Sequence, residues 1–280
     1  MTITDGIGVN FYLDFAAPSR EGVDSATVTY KNFSGQTVEK TYAKNRLALQ
    51  DDGRYKLTVW IAPAQLADEI TVEIGDTVYT QSVRAYCEEL KGNQDYSAYF
   101  PFVNALEQYA QTANIAFSYT EDTIADISGL TAAEGFDSLT NTLSASPDLI
   151  GKIGSVAFLA LTKPEFRFYL TDAVTETQAA ACTVKASFKD GGSAGSLNAR
   201  FAKNAQGDVL VEVTGVQAKD LGRTVVVTIT GLGDTAQKIE FTGYDFAKIM
   251  VAQSNNADLG VALYNYGKAA ADLVTAGVWA

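Results

Sequence analysis

Adjacent carboxylates are the residues of this chain whose type first suggests chemistry. They occur as Asp51-Asp52, Asp68-Glu69 and Glu88-Glu89. Two carboxylates can serve as acid and base in glycoside hydrolysis, but neighbouring residues on a strand point to opposite faces, so an adjacent pair does not form such a site. The first pair, followed by glycine, is typical of a turn, and the third fits the exposed side of a helix. A pair assembled from distant segments stays an open alternative.

Other catalytic and metal-binding chemistry has few candidates. Histidine is absent, which excludes Ser-His-Asp triads, Cys-His pairs and imidazole metal sites. Cys87 and Cys182 lack metal-binding spacing, and we expect both to be buried free thiols. Acidic loops would suit calcium, but the ligand pattern of a calcium-binding loop is missing. We therefore predict a protein that is not an enzyme and that needs no cofactor and no metal.

Trp60 is the residue with the clearest potential for binding. The segment Tyr55–Ile61 alternates, and its apolar residues face inward. Lys56, Thr58 and Trp60 then share the outward face, where a tryptophan could stack on a sugar ring or anchor a protein partner. We take these three as candidate ligand-binding residues. The alternative is that a helical hairpin or a linker covers this face and buries Trp60. The residues around Trp279, near the chain end, predict no role for it.

Tyrosines gather where helices are predicted, and they allow two interpretations. Core packing with the hydroxyl at the rim explains most of them, whereas a tyrosine-rich contact surface is the alternative. The residues concerned are Tyr86, Tyr96, Tyr99, Tyr109 and Tyr119.

Composition limits the partners. The 280 residues are 47% hydrophobic and 19% charged, with a net charge of −12, so the chain can bury a core but repels phosphate backbones and anionic lipid. We expect no nucleic-acid partner. The sequence contains no apolar run long enough to cross a bilayer, so we expect no membrane insertion. The N-terminus lacks the features of a signal peptide, which indicates either a cytosolic protein or a piece of a longer exported chain.

An internal duplication organises the sequence. Phe11-Tyr12-Leu13 recurs 157 residues later as Phe168-Tyr169-Leu170, and the apolar alternation of Ile70–Ile74 recurs in the segment Val225–Thr230. Further matches follow in the same order, which is the mark of a repeated unit. We predict one module over residues 1–116, a linker over 117–148, and a second, divergent copy over 149–280.

Each copy has strand patterns first and helix patterns last. In the first copy, the residues after Ser82 show helical spacing up to Gly92, and a second helix with Pro101 in its first turn follows. We predict a mainly β fold with helices (α+β): two tandem β-sandwich-like modules, each ending in a helical hairpin. The apolar segment 149–161 predicts a leading strand of the second copy. Its counterpart in the first copy would lie at or before Met1, which favours an excised fragment.

The same residues carry a resemblance. The sequence Gly6 to Leu13, Gly53-x-Tyr55, Ser82-Val83-Arg84-x-Tyr86 and the helix around Tyr109-Ala110 resemble a repeated module of very large secreted or cell-surface proteins of anaerobic gut bacteria. The similarity covers the first copy almost end to end, whereas the second copy has Glu165-Phe166-Arg167 in place of Gly-Val-Asn.

This resemblance implies extracellular placement more than an activity. The expected function is a non-catalytic binding or adhesion module, a monomer within a larger exported chain, with a host protein such as an immunoglobulin or mucin, or a glycan, as ligand. A structural spacer and a polysaccharide-binding accessory domain of an enzyme are the alternatives.

Overall fold

The computed structural model describes residues 6–120, 122–192, 195 and 197–278. This part of the chain contains fifteen strands and six helices, and the strand pairs are antiparallel. The predicted β-rich, mixed α and β character is therefore confirmed. The chain divides into two compact units, unit 1 over Met1–Ile127 and unit 2 over Ser128–Ala280. Each is described by itself.

In its described residues, unit 1 contains seven strands in two sheets. One sheet has the order β1-β5-β4 and the other β3-β2-β6-β7. Alternate residues of β1 from Ile7 to Leu13 are buried, as are Leu57, Val59 and Ile61 of β5, because the pleat turns alternate side chains toward the core. The strands are β1 (Ile7–Leu13), β2 (Ser25–Lys31), β3 (Thr37–Ala43), β4 (Ala48–Leu49), β5 (Tyr55–Ile61), β6 (Ile70–Ile74) and β7 (Thr77–Gln81).

The acidic sequence before β5 is a turn, as its glycine indicates. Gly53 has a φ of +81°, a conformation that favours glycine. Its N–H donates to the Gln50 carbonyl at 2.9 Å, and the turn joins β4 to its antiparallel partner β5.

The described part of unit 1 also has two helices, α1 (Val83–Lys91) and α2 (Phe100–Phe117). Ser82 caps α1 by accepting a hydrogen bond from the Ala85 N–H at 3.0 Å, and Gly92 ends it. Pro101 lies in the first turn of α2, where its missing N–H costs nothing. The two helices contact each other, as predicted.

Unit 2 has eight strands and four helices in its described residues. Its sheets have the orders β12-β13-β10-β9 and β11-β14-β15-β8. The strands are β8 (Ser144–Ala145), β9 (Ile153–Ala160), β10 (Pro164–Leu170), β11 (Thr183–Phe188), β12 (Asn198–Lys203), β13 (Val209–Thr214), β14 (Val225–Thr230) and β15 (Gln237–Phe241). The helices are α3 (Pro147–Ile150), α4 (Glu176–Ala180), α5 (Gly243–Ala252) and α6 (Ala257–Thr275).

A phenylalanine cluster joins the two sheets of unit 2. Phe166 and Phe168 of β10 lie against Phe241 of β15, with ring centroids 5.2 Å and 5.1 Å from its own. Phe246 of α5 packs on all three at 4.9–5.8 Å. All four rings are at most 1% exposed. Such ring pairs add about 0.5–1.5 kcal/mol each beyond burial, so the cluster holds the sheets and α5 together.

The units share strand pairings but differ at their sheet edges. β1 pairs with β5 as β10 pairs with β13, and β2-β6-β7 are linked as β11-β14-β15 are. However, β3 pairs with β2, whereas β12 pairs with β13. Unit 2 also has two further edge strands, with β9 on β10 and β8 on β15. The leading strand predicted at 149–161 is β9, preceded by α3.

The segment expected as a linker supplies buried side chains. Ile124 is 5% exposed and Phe136 is 6% exposed. The Phe136 ring packs on Tyr264 of α6 at 5.0 Å, and β8 adds to the edge of β15. These contacts give part of residues 117–148 a place in the packing.

Candidate functional site

The outer face of the β1–β5 pair brings the predicted binding residues together with others. The antiparallel register sets Trp60 opposite Gly8, Thr58 opposite Asn10 and Lys56 opposite Tyr12. Their strand neighbours Val9 and Val59 are buried on the opposite face, so these six residues share the outer side of the sheet. We call this set the outer-face stripe: Gly8, Asn10, Tyr12, Lys56, Thr58 and Trp60.

Trp60 lies at one end of the stripe and is half-buried. Its Cε3 atom would stand 3.1 Å from a Cβ placed on Gly8, so the indole covers the backbone where the opposite residue has no side chain. Trp60 is therefore neither a core residue nor a freely projecting one. Part of its ring supports the β1–β5 pairing, and the rest faces outward.

The middle of the stripe is polar and ordered. Thr58 donates its hydroxyl hydrogen bond to Asn10 Oδ1 at 2.8 Å. This bond holds the Asn10 amide carbonyl and orients its NH₂ group, which can donate two hydrogen bonds. Both side chains are partly accessible. The pair can therefore present directed donors between two aromatic residues.

Tyr12 lies at the other end, opposite Lys56, and is 43% exposed. The Arg54 guanidinium lies 5.2 Å from its ring centroid, within the range of a cation–π contact. Asp52 accepts hydrogen bonds from Arg54 Nε at 2.8 Å and Nη2 at 2.5 Å. The same contacts lower the pKa of Asp52. Arg54, paired with Asp52, thus lies against the Tyr12 ring, and Lys56 is opposite Tyr12 in the strand register.

The dimensions of the stripe suit an extended ligand. Gly8 and Tyr12 are four residues apart, which at about 3.4 Å per residue separates the two ends by about 14 Å. An aromatic ring lies near each end, hydrogen-bonding groups lie between them, and the Arg54–Asp52 ion pair lies beside Tyr12. Such a surface can stack on apolar faces and bind polar edges of one ligand.

The sequence pattern suggested Trp60, Lys56 and Thr58 as candidates, and it did not suggest the residues opposite them on β1. The alternation that turns Phe11 inward also turns Asn10 and Tyr12 outward, so the pattern was present. The alternation does not show that β1 pairs with β5, because strand pairing joins residues that are far apart in the sequence.

The equivalent face of unit 2 has a different chemistry. Glu165 and Arg167 of β10 and Glu212 of β13 occupy the positions of Gly8, Asn10 and Thr58. Both carboxylates are buried, at 9% and 6% exposure. Arg167 bonds Glu165, and Arg200 of β12 bonds Glu212 at 2.6 Å. Burial, with Glu212 nearby, raises the pKa of Glu165. Glu165 and Glu212 thus form a carboxylate pair from distant segments, which could not be seen from residues adjacent in the sequence.

A cavity of about 540 Å³ lies elsewhere in unit 2, beside Arg223 and α6. The guanidinium bonds Asp190 at 2.6 Å and Asp220 at 2.9 Å, and it stacks over the Phe188 ring at 3.8 Å. Because two carboxylates hold this cation, the cavity offers less positive charge to an anion than its lining suggests.

The remaining candidate residues have mainly structural surroundings. Cys87 is fully buried, and burial raises its pKa to about 12. Cys182 is also a free thiol, but it is half-exposed, so the expectation that both are buried was wrong. It lies at the end of α4 and donates its S–H to the Gln178 carbonyl at 3.1 Å. No group of three or more Cys, Asp or Glu suited to a metal occurs among the described residues. Trp279 lies outside them.

The predicted tyrosine group divides between core and surface. Tyr109 is 1% exposed, whereas Tyr96 is 45% exposed and lies 6.4 Å from Tyr99. Tyr119 donates its hydroxyl to Asp68 at 2.5 Å, and burial with this bond raises its pKa to about 12. The five tyrosines therefore do not form one contact surface.

Comparisons with known proteins add no relative: no family model matches the chain, and no curated protein and no solved structure is significantly similar to it. Across the described residues, none of the helices combines the length and apolar character needed to cross a bilayer.

Proposed function

We propose that the chain is a non-catalytic binding module that holds its ligand on the outer-face stripe. The main observation behind this proposal is that Trp60 and Tyr12 lie on one sheet face, on either side of the hydrogen-bonded pair Thr58 and Asn10. The ligand class is a glycan, or a host protein such as mucin or immunoglobulin. A glycan suits the combination of stacking surfaces and directed donors, and mucin would present such glycans on a protein.

The absence of catalytic function is part of this proposal. The chain has no histidine, and the buried carboxylates Glu165 and Glu212 are bound to arginines. Because each carboxylate already bonds an arginine, a substrate would have to replace that partner before the carboxylate could act on it as an acid or base.

We further propose that both units descend from one module of an exported bacterial surface protein. The sequence repeat and the matching pairings of β1–β5 with β10–β13 support the common origin. The resemblance to modules of gut-bacterial surface proteins supports the location, as does a composition that disfavours nucleic acid. Protease shaving of intact cells that produce the chain tests this placement: release of its peptides supports it, and protection contradicts it.

Affinity electrophoresis through gels that contain plant or host polysaccharides tests the glycan ligand. A binding chain is retarded, and Trp60→Ala and Tyr12→Ala should weaken the affinity by roughly 10-fold or more, as expected for aromatic anchors. Tyr96→Ala is the matched control, because its exposure of 45% is close to the 43% of Tyr12 and it lies outside the stripe. It should leave retardation unchanged.

Mucin and immunoglobulin pull-downs separate the two ligand classes. Binding to mucin that disappears after enzymatic deglycosylation identifies a glycan, whereas binding that persists, or capture of immunoglobulin, identifies a protein surface. An absence of binding in both assays would leave the structural spacer as the better description. Retardation that Trp60→Ala does not change would contradict the stripe as the site.

A further inference from the structure

Arg20 is a buried arginine of unit 1. It lies in the short helical turn Pro18–Arg20, between β1 and β2, and is 7% exposed. Its Nη1 donates to the Asp14 carbonyl oxygen and its Nη2 to the Tyr79 hydroxyl at 2.8 Å, but its buried Nε has no hydrogen-bond partner. None of the ion pairs in the described part of the chain includes it. A buried charge held only by neutral groups is costly, so a role beyond packing is indicated.

The corresponding positions of unit 2 are apolar. The short helix α4 lies between β10 and β11, and its buried residue is Ala179. On β7, Tyr79 is opposite Val72 of β6. The matching Val227 of β14 is opposite Ile239 of β15, which is fully buried. The fold therefore fills these positions with alanine and isoleucine, and it does not need a guanidinium or a phenol there.

The Nε side of the Arg20 guanidinium has the geometry that binds a carboxylate. Its Nε–H and one Nη2–H point in the same direction and match the two oxygens of such a group. Arg223 of the same chain shows this geometry, because its Nε and Nη2 donate to the two oxygens of Asp190 at 2.9 Å and 2.6 Å. On Arg20 the described partner on this side is the neutral Tyr79 hydroxyl.

Tyr79 covers the guanidinium and controls access to it. Arg20 Cζ lies 5.9 Å from the centroid of the Tyr79 ring, and Tyr79 is 37% exposed. A change of its side-chain rotamer can therefore uncover Nε and Nη2 while β7 stays in place. The hydroxyl is a weak competitor for a charged ligand, because hydrogen bonds in which both groups are ionised are stronger than those to a neutral acceptor.

We infer that Arg20 and Tyr79 form a subsite for a carboxylate group. The two carboxylate oxygens accept hydrogen bonds from Nε and Nη2, and the displaced Tyr79 hydroxyl can donate to the same anion. The ligand that carries the carboxylate is an acidic sugar such as a uronic or sialic acid. This choice of a sugar rests on the proposed glycan binding, whereas the carboxylate subsite does not, since neither residue belongs to the outer-face stripe.

Side-chain NMR of the isotope-labelled full chain tests the subsite, because each arginine Nε–H gives its own signal. Sodium acetate and sodium glucuronate replace sodium chloride at constant ionic strength, and methyl glucoside is the neutral sugar. The Arg20 Nε–H signal should shift and saturate with both carboxylates and stay unchanged with the neutral sugar. Arg54, which is exposed and bound to Asp52, is the matched control, and its Nε–H signal should show no saturation.

Two variants complete the test, with the backbone amide of Tyr79 as the reporter. Arg20→Lys keeps the charge but loses the two-donor geometry, so the affinity for glucuronate should fall by at least about 10-fold. Arg54→Lys should leave it unchanged. An Arg20 Nε–H signal in the parent chain that does not saturate with either carboxylate would overturn the inference, whether or not Arg20→Lys folds. Equal affinities of the parent and Arg20→Lys would also overturn it.

The same titrations separate the subsite from the proposed glycan function. Tighter binding of glucuronate than of acetate supports an acidic sugar. Equal affinities for the two anions support the carboxylate subsite and refute the choice of a sugar. Saturation with acetate in a chain that no polysaccharide gel retards would refute the glycan function and leave the subsite supported.

Discussion

Gly8 gives a sharp test of the β1–β5 geometry. A Cβ at this position would lie 2.6 Å from the Val59 carbonyl oxygen and 3.1 Å from Trp60 Cε3. The first is a backbone atom, so β1 must move away from β5 to accept Gly8→Ala. Crowding of this kind costs about 1–3 kcal/mol, and the lower entropy of the unfolded alanine chain returns about 0.4–1 kcal/mol. We expect a net loss of about 1–2 kcal/mol in the free energy of unfolding.

Urea unfolding followed by tryptophan fluorescence measures this loss. The chain has two tryptophans, so Trp279→Phe leaves Trp60 as the only reporter, and it lies beside the substitution. Gly92→Ala is the control in the same unit. Gly92 has a φ of −70°, and its added Cβ would meet carbonyl oxygens at an ordinary 3.4 Å. It should be neutral or slightly stabilising. If Gly8→Ala is as stable as Gly92→Ala, the close approach of β1 to β5 is wrong.

Three further predictions concern the reactivity of the cysteines, the titration of Glu165 and the hydrogen bonds of Asp245. Under native conditions a thiol reagent should modify Cys182 before Cys87, because burial and a raised pKa protect Cys87. The fast reaction should disappear in Cys182→Ser, and a fast phase that remains in this variant would contradict the prediction. Glu165 has a raised pKa in the folded state, so its stabilising contribution is present below the unfolded pKa of about 4.3 and falls as pH rises. The stability of Glu165→Gln relative to the parent should therefore grow from pH 4 to pH 7, and a constant difference in urea midpoints would refute it. Asp245 accepts hydrogen bonds from the Thr142 N–H at 2.6 Å and from the Thr142 hydroxyl at 2.7 Å. Asp245→Ala should therefore lower the free energy of unfolding by about 3 kcal/mol. Asp234 is exposed, so the control Asp234→Ala should change the free energy of unfolding by less than about 0.5 kcal/mol.

Local patterns predicted much of the secondary structure. Ser82 and Gly92 bounded α1 as expected, because caps satisfy helix-end groups through residues that are close in sequence. The period-2 alternation placed Trp60 on the outer face of β5 for a similar reason, since side-chain direction follows from the pleat. The β-rich character of the fold could be predicted from this short-range alternation alone.

Sheet edges and partners could not be predicted in the same way. β3 and β12 lie at corresponding places in the sequence repeat, since Tyr42-Ala43-Lys44-Asn45 recurs as Phe201-Ala202-Lys203-Asn204. Even so, β3 pairs with β2 and β12 pairs with β13. Matching positions in the repeat therefore have different strand neighbours. The choice depends on what else competes for each edge, including the short β4 on β5 in unit 1, and such competition involves residues far apart in the chain.

The sequence by itself determined which residues of β5 and β6 face the core and where α1 begins and ends, because both depend on residues that are close together in the chain. Only the tertiary structure decided that Asn10 and Tyr12 join Thr58 and Lys56 on one face. This arrangement comes from pairing between distant strands, whose register is set by the packing of the whole unit.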